Sequence, residues 1–64
     1  MSLLNMNEDA QTLALAVTVL TRECKLNLEQ TLEVFEDLYN RGLEQGDHYD
    51  VDKTVLREVI LKGL

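Results

Sequence analysis

Two side chains in this sequence could together support nucleophilic chemistry: Cys24 and His48, each the sole residue of its type. A thiol attacks once a base within hydrogen-bond reach takes its proton, and a third group must orient that base. At helical spacing, however, Cys24 falls in line with Ala10, Leu13, Val17 and Leu20, within an arc of about 80°. A thiol on such an arc is a small hydrophobe, and burial raises its pKa. His48 lies among turn-forming residues and reads as a solvent-facing loop residue. Carboxylates are numerous, but acid–base work needs a concave site that separates their pKa values. Here they fall along a convex helix face. The expectation is a chain without catalytic residues.

Asp47, His48, Asp50 and Asp52 crowd one short segment, offering hard oxygens and an imidazole to a divalent cation. Counted as an EF-hand loop from Asp50, the glycine position holds Val55 and the twelfth position holds Leu61, so the pattern fails. Zinc spacing is missing too, because Cys24 and His48 are the only soft ligands. Turn formation and helix capping account for these aspartates. Neither a metal nor any other cofactor is expected.

The chain of 64 residues carries a formal charge of −6, unevenly spread. Residues 28–50 hold Glu29, Glu33, Glu36, Asp37, Glu44, Asp47 and Asp50 against Arg41 alone. Such a surface repels phosphate, so nucleic acid and anionic membranes are disfavoured partners. The same charge disfavours a helix-turn-helix reading, whose second helix would present Glu29, Glu33, Glu36 and Asp37 to DNA. Those four residues could instead form a face for a basic partner, or in the extreme mimic phosphate. Glu29–Glu33 and Glu33–Asp37 are like-charged i,i+4 pairs, each costing a few tenths of a kcal/mol. No apolar run approaches the roughly 20 residues of a membrane span, and no basic segment precedes the apolar stretch as in a secretory signal. A single cysteine forms no intrachain disulfide, so a cytoplasmic location is expected.

What positions these residues is a set of amphipathic helices. The chain has no proline, and its glycines, Gly42, Gly46 and Gly63, all fall late. A first helix is predicted over about 8–24, with Asn7 as N-cap and Glu8 and Asp9 complementing the positive helix end. A second is predicted over 28–41 or 28–45, opened by a capping box of Asn27 and Gln30. Leu28, Leu32, Phe35, Tyr39 and Leu43 line its core face, widened by Val34 and Leu38. Gly42 could end it as C′ of a Schellman motif, with Gly46 the alternative stop one turn later. A third is predicted over 53–62, with Asp52 as N-cap and Val51 stapled to Leu56. The fold class is therefore all-α, a small three-helix bundle forming one domain over residues 1–64. Residues 1–6 are expected to be disordered or an addition to the natural start.

A domain this small has a marginal core, and a partner subunit is one common remedy. The first helix suggests where such a partner sits. Leu15 and Val19 fall nearly opposite the core arc, beside Gln11, Thr12 and Arg22, which makes the helix apolar on two sides. A helix with two apolar sides normally has neighbours on both. Thr12, Leu15 and Val19 are the expected interface of a homodimer, the commonest closed arrangement. The function expected from these patterns is a non-enzymatic protein-interaction module, a homodimeric regulatory or accessory protein with a further, unidentified protein partner. The alternatives are a helix-turn-helix-like regulator linked to nucleic acid and an acidic decoy of nucleic acid.

Overall fold

The computed structural model describes residues 5–63. It contains three helices: α1 (Glu8–Glu23), α2 (Leu28–Glu44) and α3 (Lys53–Lys62). The expected all-α three-helix architecture is the observed one. Residues 1–4, part of the segment expected to be a disordered or added tail, lie outside the described residues. Met6 is different: it is buried in the core, so the tail reading is corrected for this residue. A thioether fills irregular gaps well, and the Gln11 side chain holds the Met6 carbonyl at 2.6 Å.

Helix α1 packs against both of its companions. It starts where Asn7 accepts the Ala10 amide on its side-chain oxygen at 2.9 Å. It ends at Cys24, after which Lys25 adopts a left-handed φ of +53° and the Leu26 amide returns to the Thr21 carbonyl at 3.0 Å. Its buried residues are Ala10, Leu13, Ala14, Val17 and Thr21. That corrects the expected core arc: Leu20 and Cys24 are exposed, and Ala14 and Thr21 take their places. The small Ala10 and Ala14 let a neighbouring backbone come close. Thr21 tolerates burial because its hydroxyl has a partner: it donates to Thr31 Oγ1 at 3.1 Å, and Thr31 donates to the Asn27 carbonyl at 2.9 Å. Polar groups enter cores on that condition.

Helix α2 opens with the full capping box, Gln30 N–H to Asn27 Oδ1 and Asn27 N–H to Gln30 Oε1. Phe35 is its central anchor, with Val34, Leu38 and Tyr39 packed against the core. Leu28 and Leu43, expected on the same buried face, are 61% and 47% exposed. They lie in the first and last turns of α2, where the neighbouring helices no longer cover it. The helix runs through Gly42 and stops one turn later. Gly46, at φ +96°, is the C′ residue: its amide donates to Leu43 and the Asp47 amide to Gly42, a complete Schellman ending.

Helix α3 begins after Asp52, which occupies the N-cap position without a side-chain cap bond. Val51 packs on the core cluster to which the fully buried Leu56 belongs. Asn7 sits beside residues 48–50 at one end of α1, and Arg22 donates to the Gly63 carbonyl at 3.0 Å at the other. The chain therefore runs up, down and up again, with α3 parallel to α1. Among the described residues no helix is long and apolar enough to cross a membrane.

Candidate interaction surface

The residues singled out for chemistry are not brought together. Cys24 is exposed at the C-terminal end of α1, while the segment holding His48 is fastened to its N-terminal end. A helix of 16 residues spans roughly 24 Å, far beyond proton-transfer reach. The expected burial of Cys24 is thereby corrected: it caps the helix where the chain turns away from the core. His48 is exposed, and its backbone makes its contacts. Among the described residues, no three His, Cys, Asp or Glu side chains converge to hold a metal ion.

The aspartates of the second connection serve as fasteners. Asp50 Oδ1 accepts the Asn7 amide at 3.0 Å, and the Asn7 side-chain amide donates to the His48 carbonyl at 2.7 Å. Asp9 Oδ2 accepts the His48 amide at 2.9 Å. One N-cap residue thus starts α1 and also holds the chain leading into α3. Propensity and periodicity contain no signal for this network, because its partners lie about forty positions apart in sequence.

Between α1 and α2 opens a cleft of about 370 Å³ whose lining includes Thr12, Ala16, Leu38, Arg41 and Tyr49. Tyr49 stacks on Tyr39 at 5.0 Å and rests its hydroxyl directly over Gly42. That hydroxyl is buried without a hydrogen-bond partner. Burial first, then the nearby Asp47 and Asp9 charges, raise its pKa above the ordinary phenol range. The pairing of Tyr49 with Gly42 escaped sequence reasoning. A glycine inside a helical pattern, as Gly42 is, commonly has a packing reason, and that was the available signal.

The acidic face of α2 is partly used within the chain. Glu36, one of the four residues expected to face a basic partner, pairs with both Lys53 and Arg57 of α3 and so also ties α2 to α3. The Lys53 hydrogen bond, aided by the charges of Lys53 and Arg57, holds its carboxyl below the usual carboxylate range. Asp37 pairs with Arg41 one turn on, both well exposed. Glu29 and Glu33 are exposed and have no ion-pair partner among the described residues.

Leu15 and Val19 are 50% and 53% exposed. They occupy the side of α1 opposite the residues packed on its two companions, and Thr12 beside them is exposed as well. Leu20, 39% exposed, lies about 100° round the helix from Val19 and so stands apart from this strip. No protein-family model, curated protein or solved structure matches this chain.

Proposed function

We propose that this chain is a non-enzymatic protein-interaction module that self-associates through the outer face of α1, serving as a homodimeric regulatory or accessory protein in the cytoplasm. The observation that carries this reading is the half-exposed pair Leu15 and Val19 on a helix whose opposite face already holds both neighbours. Full burial of such a side chain contributes about 1.5–3 kcal/mol. With half of each already covered, two copies would gain roughly 3–6 kcal/mol in total from four side chains. Association costs about 4–15 kcal/mol. The strip alone does not offset that cost, so a dimer built on it would be weak and concentration-dependent and would need further contacts.

The nucleic-acid reading draws less support from the fold. Of the three basic residues α3 would offer to phosphates, Lys53 and Arg57 are engaged with Glu36, which leaves Lys62. An acidic decoy would retain Glu29 and Glu33, with Glu36 tied to Lys53 and Arg57 and Asp37 paired with Arg41. The test is the solution mass measured across a concentration series. The parent chain is expected to shift from one to two subunits, and Leu15→Glu to stay at one subunit while keeping its helicity. A parent chain that is monomeric at every concentration, or a Leu15→Glu variant with unchanged association, overturns the assignment.

A further inference from the structure

The outer face of α1 carries charges of opposite sign at its two ends. Glu8 is exposed at the N-terminal end; Arg22 and Lys25 are exposed at the C-terminal end, where Glu23 only partly offsets them. Between them lie Leu15 and Val19. The most acidic remaining surface, Glu29, Glu33 and Asp37, is on α2 away from its core face, so it does not oppose an approach to α1.

Resting on the self-association proposed above, we infer that the occupant of this face is a second copy of the chain, lying antiparallel across a two-fold axis that passes between Leu15 and Val19. In that register Leu15 of one subunit meets Val19 of the other, and the reverse, as closed symmetry requires. The same operation sets Thr12 opposite Arg22 and brings Glu8 within about one helical turn of Arg22 and level with Lys25. Each acidic end then meets a basic end twice per dimer. Opposed helix dipoles add to the attraction. A parallel pairing would instead set Glu8 against Glu8 and Arg22 against Arg22. A basic partner would find more opposite charge on α2 than on this nearly balanced strip. Arg22 already spends one N–H on the Gly63 carbonyl, which steadies the guanidinium while leaving its other donors available.

The test compares the dimer dissociation constant, by analytical ultracentrifugation, of the parent chain, Glu8→Lys, Arg22→Glu and the double exchange. Each single exchange converts two attractions into two repulsions and should weaken the dimer by about tenfold. The double exchange should restore it. Circular dichroism of each variant reports folding. A second measurement is independent of charge: in a Cys24→Ser background, Glu8→Cys chains mixed with Arg22→Cys chains and a short bis-maleimide should give mainly the mixed cross-linked species. A dimer whose strength neither single exchange alters, with 8-to-8 and 22-to-22 products dominant, overturns the antiparallel arrangement and leaves self-association standing. A monomer at every concentration overturns both.

Discussion

Replacing Gly42 by alanine sets helix propensity against packing, and packing around Tyr49 should prevail. Alanine in a helix interior is favoured over glycine by about 1 kcal/mol. The added Cβ would lie 1.9 Å from Tyr49 Oη, 2.8 Å from Asp47 Oδ2 and 3.1 Å from Tyr49 Cζ. To reach ordinary contact the hydroxyl must withdraw by about 1.5 Å. The ring cannot swing freely, because it stacks on Tyr39 at an interplanar angle of 25°. Such pairs contribute about 0.5–1.5 kcal/mol beyond their buried area. Overpacking costs about 1–3 kcal/mol, so Gly42→Ala should destabilise the chain by about 1–2 kcal/mol net. Tyr49→Phe removes the nearest atom, and because that hydroxyl is buried without a partner its loss should cost little. The double variant should then recover most of the deficit, with a coupling of at least about 1 kcal/mol. Urea unfolding of all four chains, followed by far-UV circular dichroism, measures the cycle. A Gly42→Ala variant as stable as the parent, or an additive cycle, would refute the argument that Tyr49 requires a bare backbone there.

Lys25→Gly should stabilise the fold by about 0.5–1 kcal/mol, since a side chain in the left-handed region is strained and glycine is not; an unchanged or lower urea midpoint would count against this. Glu36, whose carboxyl is held below its ordinary pKa by Lys53, contributes stability that is present above the unfolded carboxylate pKa and lost as pH falls through the folded one. Urea midpoints of Glu36→Gln should therefore trail the parent at neutral pH and converge with it only once the pH has fallen below the lowered folded pKa of Glu36; parallel acid profiles would mean that the pairing with Lys53 and Arg57 does not stabilise the fold.

The helices were legible because their ends are written in local chemistry. Asn7, the Asn27–Gln30 box and Gly46 each act within a turn of themselves, so single-chain spacing suffices to read them. The core face of α1 was read less well, because hydrophobicity ranks Leu20 and Cys24 above Thr21 and Ala14. Burial there depends on who the neighbour is: Thr21 is admitted by Thr31, a residue ten positions away on another helix. Glu36 looked like its companions on the acidic face until α3 brought Lys53 and Arg57 against it. Leu15 and Val19 needed only the helical angle, and so the exposed strip was visible from spacing alone.

The Thr21–Thr31 hydroxyl pair has a consequence for how α1 and α2 are aligned. Aliphatic surfaces slide past one another at modest cost, because one methyl serves nearly as well as the next. A directional chain from Thr21 to Thr31 to the Asn27 carbonyl does not: a one-turn slip would strand a donor away from water. The hydroxyls thus act as a detent, selecting a single vertical setting of the hairpin. With that setting held near one end, Gly42 near the other arrives where the Tyr49 ring can cover it.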